Sequence, residues 1–391
     1  MTRALRVVVA PDSFGGALDS IGVANAFASG WLRVRPDDTV VRRPMADGGE
    51  GTLAAVAAAL DDRAERRSLA TVDALGRPIK ADWLLVEEGR GAFVEMAAAS
   101  GLARLTPAER TAESVRRAST RGTGELIRAA LDAGVERITI GLGGSATNDG
   151  GAGLLAALGV RFLDGAGVEL PPGGAALARL SAIDASALDP RIRDVRMVVA
   201  SDVTNPLCGP RGASATYGPQ KGADAEAVEE LDRALATFGR MVEATTGRLV
   251  ADLPGAGAAG GATAGLLGFT DAIVRPGVEV VAELVGLGEA LESADLVITG
   301  EGRADEQTLH GKAAMGVAAL AGARKTPVVL LCGAIGEGAD ALQTTTALTL
   351  VQPIPDRPLS LEAAMADTER LLEAAAARLA RAIGIGLALT P

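Results

Sequence analysis

Between an apolar, β-branched run (Arg137-Ile138-Thr139-Ile140) and a helix-like run (Leu154 to Leu158), the chain reads Gly141-Leu142-Gly143-Gly144-Ser145-Ala146-Thr147-Asn148-Asp149-Gly150-Gly151-Ala152-Gly153. A strand that empties into glycines, hydroxyls and one Asn-Asp pair, and then into a helix, is built to hold an anion. Glycine lets backbone N–H groups approach phosphate oxygens, and the following helix adds its free N–H groups and the positive end of its dipole. The same glycines would also serve a tight turn and a close helix–strand contact, so the rest of the chain has to decide between the two.

At 391 residues the chain exceeds one typical core, which predicts two domains. Apolar content of 48% with 2% aromatics predicts an Ala/Leu/Val core of helices packed on sheets. The net charge of −11, without basic runs or basic–aromatic clusters, argues against nucleic-acid and membrane surfaces, although a local pocket can still be positive. Cys208 and Cys332 are isolated, which fits a reduced, cytoplasmic setting. Leu5 to Ala10 is too short for a signal-peptide core. The longest uncharged stretch, Leu253 to Thr270, carries six glycines and a proline, so it does not read as a membrane span. With His310 as the single histidine, a Ser/His/Asp hydrolase or a multi-His metal site is excluded in practice, and acid–base chemistry falls to carboxylates or lysines.

The chain opens as βαβα. Leu5 to Ala10 reads as a buried strand, Ser20 as the cap of a helix carrying Ile21, Ala24, Phe27 and Trp31, Thr39 to Arg42 as a second strand, and Leu53 to Leu60 as a helix. The grammar returns near the end: a strand from Asp295 to Thr299 ending in Gly300-Glu301-Gly302-Arg303, a helix near Ala313 to Ala321, a strand from Pro327 to Leu331, and an amphipathic helix from Leu361 to Ile383. The region between has a different texture, with strands near Trp83 to Val94 and several Gly-rich loops. We therefore expect an α/β fold with a discontinuous Rossmann-like (flavodoxin-like) parallel-sheet domain, residues 1–74 and 286–391, and an inserted α/β domain, residues 75–285. A two-domain enzyme is expected to place its site in a cleft that excludes water.

Candidate residues sit where open α/β sheets place ligands. Asp12 and Ser13 follow the first strand. Asp47 and Glu50 lie at a helix entrance, where Glu50 also complements the helix dipole. Asp202 and Asn205 follow the strand Arg196 to Ala200. Lys221 stands between glycines in Tyr217-Gly-Pro-Gln-Lys-Gly222, although a lone lysine is usually solvated. Arg303 can fork onto a carboxylate or phosphate, and Glu301 and Gln307 flank it. Two dinucleotide-type fingerprints occur, Gly141-x-Gly143-x-x-Ala146 and Gly255-x-Gly257-x-x-Gly260. The first stays polar to Gly151 where a helix should already run, and Pro254 precedes the second, so NAD binding is a minor reading. No P-loop motif is present. Glycine loops, strand-end carboxylates, a forked arginine and loop lysines fit phosphoryl transfer, in which the protein positions groups and neutralises charge with Mg²⁺.

Together these segments resemble the bacterial glycerate kinases. The match spans nearly the whole chain and rests on Ala10-Pro-Asp-Ser-Phe14, Pro44-Met-Ala-Asp-Gly-Gly-Glu-Gly51, Glu95-Met-Ala-Ala-Ala-Ser-Gly-Leu102, Gly122-Thr-Gly-Glu-Leu126, the Gly141 to Gly153 loop, Tyr217 to Gly222, Pro254-Gly-Ala-Gly-Ala-Ala-Gly-Gly261 and Thr299 to Lys312. The resemblance implies ATP- and Mg²⁺-dependent phosphorylation of D-glycerate to 2- or 3-phosphoglycerate. It implies that Gly143, Gly144, Ser145, Thr147 and Asn148, with Gly257 and Gly260, lie at the nucleotide or transferred phosphate. Asp202 and Asp149 are then the candidate bases, Lys221 and Arg303 the catalytic cations, and Asp202 and Glu301 the metal ligands. Asp12, Ser13, Asp47, Glu50, Asn205 and Gln307 are left to hold substrate. A kinase for another small hydroxy acid, an NAD-linked oxidoreductase and a non-catalytic binding homologue are the alternatives, and a homodimer is left open. One departure from the family pattern is Gly15-Gly16 after Phe14, where the family usually carries lysine.

Overall fold

The computed structural model describes residues 3–310 and 312–389, and divides into two compact units, Met1–Asp47, Ala54–Asp61 and Val278–Pro391 as one, Gly48–Leu53 and Asp62–Gly277 as the other. The strands in chain order are β1 (Arg6–Val9), β2 (Thr39–Arg42), β3 (Glu65–Val72), β4 (Pro78–Val86), β5 (Gly91–Glu95) and β6 (Arg137–Gly141). They continue as β7 (Arg161–Leu163), β8 (Ala182–Asp184), β9 (Arg196–Ala200), β10 (Ile273–Arg275), β11 (Leu296–Ala304), β12 (Val328–Ile335) and β13 (Leu350–Pro353).

In the first unit the sheet order is β13-β12-β11-β1-β2, every pair parallel. Counted within the unit this is the 2-1-3-4-5 order of a flavodoxin-like sheet, as expected from the βαβα opening. Val7, Val9, Ile298 and Leu331 form apolar runs with Phe27 and Trp31 packed against them. The Trp31 indole donates to Asp38, which also accepts from the Leu5 N–H. Asp19, not Ser20, caps the helix Ser20–Leu32 by accepting from Gly22 N at 2.7 Å. A strand longer than expected is the second difference. Gly300 to Arg303 stay in β11 because β12 pairs with them, Glu301 opposite Cys332 and Arg303 opposite Ala334.

The second unit carries a six-stranded sheet, β10-β9-β6-β5-β4-β3. β5, β6 and β9 are parallel and buried on both faces, which is why they read as continuous apolar runs, and β10 adds a short parallel edge strand with Ile273 exposed. β4 and β3 add an antiparallel hairpin at one edge. Residues 65–72, which fall within the first domain of the sequence-based division, are the edge strand of this sheet. Their charged Glu-Arg-Arg start is what a solvated edge requires, and it hides the strand from an apolar-run search.

Candidate active site

The first unit presents its acids at the topological switch point between β1 and β11, the position where open α/β sheets bind ligands. Asp12 N donates to Gly300 O, and the Asp12 carboxylate accepts from Ser13 N at 2.6 Å. Burial, with Asp47 adding like charge, pushes the Asp12 pKa up to about 6. Glu301, inside β11, is raised to about 7 by burial, with Asp12 and Asp305 as like-charged neighbours and the Thr308 hydroxyl opposing the shift. Its Oε1 is buried without a hydrogen-bond partner. Ser13 and Asp47 are exposed, and Arg303 points outward in an ion pair with Asp305 at 2.9 Å. The Gln307 side chain, expected here too, lies outside the described residues.

Because Glu301 keeps its proton up to about pH 7 when folded but only to 4.5 otherwise, ionising it costs stability progressively as pH rises through that window. Glu301→Gln is therefore expected to raise the unfolding free energy read from denaturant titration at pH 8, by about 1–2 kcal/mol after allowance for solvent screening, and to change nothing at pH 4. Equal effects at both pH values would assign the gain to packing instead.

In the second unit a cavity of about 410 Å³ opens beyond the carboxyl ends of β6 and β9. Gly143, Gly144 and Ser145 form one wall, and Lys221, Tyr217 and Gln220 face it. The wall is made by backbone packed on backbone. Gly143 N donates to Gly48 O at 3.2 Å, and a Cβ on Gly143 would stand 2.3 Å from the Gly49 Cα. The glycine pairs of the two strings are thus each other's packing partners. Glu50, next in the string, lines the cavity. Glu95 buries its carboxylate behind it and accepts from Gly51 N and Leu53 N, so it caps the helix Thr52–Leu60.

Lys221 is the buried cation of the cavity. It is 3% exposed, and its Nζ donates to Ser145 Oγ at 2.9 Å and to the Thr147 carbonyl at 2.7 Å. An ammonium has three donors, so a third N–H remains at a group that lines the cavity. Burial lowers its pKa to about 7, and the charge of Asp149 opposes the shift.

Asp149 itself faces inward. Its carboxylate accepts from Thr120 N, Thr120 Oγ1, Gly151 N and Gly153 N, which ties the loop to the helix Ala152–Ala157. Burial raises its pKa while those four donors pull the other way. Thr147 and Asn148 are also fully buried behind the wall, and Asn148 Nδ2 donates to Ser214 Oγ. Gly257 and Gly260 do not line the cavity. Gly260 is left-handed (φ 67°), accepts from Gly150 N, and a Cβ there would lie 2.1 Å from the Thr147 carbonyl. It backs the loop, while Ala258 and Ala259 reach the cavity.

A model of the glycerate kinase family matches residues 7–384. The chain belongs to the glycerate kinase family. It is 46% identical over 338 residues to a glycerate kinase of Bacillus subtilis strain 168, covering 86% of this chain and 87% of that one. It is 46% identical over 331 residues to the glycerate 2-kinase of Escherichia coli K12, covering 85% and 86%. A solved structure from Salmonella typhimurium LT2, provisionally named glycerate kinase 2, superposes with a TM-score of 0.86 at 42% identity, covering 99% of this chain and 100% of that one. The glycerate kinase family is one of phosphotransferases, and this chain is an enzyme of that kind.

Of the residues expected from sequence, the second unit brings Gly143, Gly144, Ser145, Glu50 and Lys221 to one cavity. Asp202 lies between two cavity-lining residues, Ser201 and Val203, and its Oδ1 accepts from Gly277 N at 3.0 Å. Asn205 accepts from the Tyr217 hydroxyl at 2.9 Å and so fixes a lining ring from behind. Arg110 lines the cavity and was missed. Its sequence neighbourhood shows only a helix-start signature, Thr106 with Glu109, and that signal locates a turn rather than a ligand. Among the described residues, no helix is long and apolar enough to cross a membrane.

Proposed function

We propose that this chain transfers the γ-phosphoryl group of ATP to the 2-hydroxyl of D-glycerate, giving 2-phosphoglycerate and ADP. The observation that carries the reading is the buried Lys221 ammonium, seated on the glycine loop with a donor left over at a cavity lined by few acids. Family membership supplies the reaction class, and the name of the Escherichia coli relative supports the 2-position.

In the proposed step the glycerate hydroxyl oxygen bonds to the γ-phosphorus, the bond to the ADP oxygen breaks, and the hydroxyl proton passes to the Asp202 carboxylate. Lys221 and the Gly143–Ser145 wall hold phosphoryl oxygens as negative charge shifts in the transition state. Tyr217, fixed by Asn205, walls the cavity beside them. Asp149 is proposed as the loop's internal brace rather than a base, since four donors already occupy it.

Among the described residues no three His, Cys, Asp or Glu groups gather into a metal site. Mg²⁺ takes one or two carboxylates and completes its shell with water and phosphate oxygens. Asp12 and Glu301 fit as its protein ligands, being oxygen donors that burial holds above the usual carboxylate range, with Asp12 adding to the rise at Glu301 and Glu301 Oε1 buried and unpartnered. When bound, the ion supplies neutralisation of phosphate charge.

The test is ADP release from Mg·ATP with D-glycerate, with the product coupled to enolase in the presence and absence of phosphoglycerate mutase. Coupling by enolase alone is the expected outcome. A requirement for mutase would move the phosphoryl group to the 3-position, and no release above the glycerate-free control would remove glycerate as substrate.

A further inference from the structure

We infer that Arg110 recognises the carboxylate of the acceptor acid, so that it sets the preference of this site for a hydroxy acid over a neutral polyol. The inference rests on the glycerate phosphorylation proposed above and goes further by naming the group that reads the acid.

The guanidinium is half-buried and pinned on one side. Nε donates to the Leu105 carbonyl at 3.2 Å, and Nη2 donates to the Leu102 carbonyl at 3.3 Å and the Leu105 carbonyl at 3.2 Å. Guanidinium has five N–H donors, so these contacts leave the two on Nη1 unspent. Among the described residues no carboxylate pairs with Arg110, in contrast to Arg77, Arg116 and Arg121 nearby in sequence, each of which has an acidic partner. Three carbonyl contacts orient the group without neutralising it. Its main chain lies against Gly222, the neighbour of Lys221, so the two cation-bearing segments are packed together.

The lining of the cavity therefore offers two cations, Lys221 and Arg110, against one carboxylate, Glu50. Two anionic groups meet in the proposed reaction, the phosphoryl group in transfer and the carboxylate of the acceptor. The Lys221 ammonium is a compact charge on the glycine loop, beside Ser145 Oγ, and suits the phosphoryl oxygens. Arg110 stands on the separate Leu102–Arg110 segment, with its planar face fixed by carbonyls and one edge left to donate, which suits a carboxylate. A site with a half-buried charge waiting for a partner penalises any acceptor that lacks one, because the guanidinium would lose water and gain nothing.

The experiment compares the full-length wild type with Arg110→Gln and Arg110→Lys, and with Arg104→Gln as an exposed arginine outside the cavity. KM and kcat are measured for D-glycerate, for ATP and for glycerol as the neutral acceptor, and D-glycerate binding is followed by calorimetry. Arg110→Gln is expected to raise the D-glycerate KM on the order of 30-fold, the worth of a charge-assisted hydrogen bond, with the ATP KM within about threefold. The preference for D-glycerate over glycerol in kcat/KM should collapse in parallel, calorimetric affinity should fall with KM, and Arg110→Lys should recover part of the loss. A rise in the ATP KM with D-glycerate unaffected would put Arg110 on the nucleotide and overturn the inference. Unchanged constants for both would overturn it as well. Should Arg110→Gln fail to fold, Arg110→Lys decides: wild-type constants for D-glycerate with an unaltered acid preference would overturn the carboxylate assignment. Absence of D-glycerate turnover in the wild type would bring down the glycerate reading itself, a result visible before any variant is made.

Discussion

Lys221→Met is expected to leave a folded protein with kcat reduced on the order of 10²- to 10³-fold, the loss seen when one preorganised donor to a developing charge is removed. The side chain is fully buried, and methionine matches its length and volume. Two opposing terms decide the effect on stability. The substitution leaves the Thr147 carbonyl without its ammonium donor, at roughly 1–3 kcal/mol, but it also removes the cost of burying a charge. Activity has no such offset. Circular dichroism and a thermal midpoint near that of the wild type, with turnover lost, are the expected pair of results; near-normal turnover would remove Lys221 from the phosphoryl site.

The pH dependence gives an independent reading of the same residue. Burial lowers the folded pKa from 10.5 to about 7, so between those values the unfolded chain binds a proton that the folded chain has released. Wild-type stability should accordingly rise relative to Lys221→Met as pH increases from 7 towards 10.5, and the difference should level off below 7. Function should respond in the opposite sense, since only the ammonium can hold a phosphoryl oxygen. Binding of ATP at pH 8 should draw a proton into the site, measurable by calorimetry in buffers of different ionisation enthalpy. Lys221→Met should lose that uptake.

Asp202→Asn is the second large effect. If this carboxylate takes the hydroxyl proton, kcat falls at least about a hundredfold while the KM for ATP stays close to that of the wild type. Asparagine keeps the size and can still accept from Gly277 N, so the contact that holds the loop survives. Turnover within about tenfold of the wild type would exclude Asp202 as the base, since a positioned base contributes more than that. Asp149 is the other carboxylate that the family resemblance offers as a base. Its neighbours Thr120, Gly151 and Gly153 consume its lone pairs, which makes it a poor acceptor for a substrate proton.

The regular elements were legible where burial on both faces writes a continuous apolar run. β9 runs from Arg196 to Ala200, as expected, and β6 differs by one residue. Legibility failed where pairing rather than composition makes the strand. Gly300 to Arg303 look like a loop until β12 supplies their hydrogen-bond partners, and the charged start of β3 shows no strand signal until β4 lies beside it. In the site, each glycine string announced itself, but their mutual packing did not, because Gly48 and Gly143 are far apart in the chain. Lys221 looked like a solvated loop lysine, since its contact with Ser145 spans 76 residues. Arg110 gave no signal, for its partners are backbone carbonyls and carry no residue code.

The strand order of the first unit also bears on how the chain is made. β1 leaves the ribosome before the other strands described, yet it sits between β2 and β11, and its register with β11 joins Val7 to Leu296. By the time Arg275 has been synthesised every strand of the six-stranded sheet exists, while the other sheet still lacks three of its five. Closing that sheet late requires a contact across most of the chain, the kind of long-range pairing that folds slowly. Until then the apolar edge of β1 needs shielding, either by its own helix Ser20–Leu32 or by a chaperone. A premature stop anywhere between the two sheets' last strands would release a chain with one finished half and one open, aggregation-prone edge.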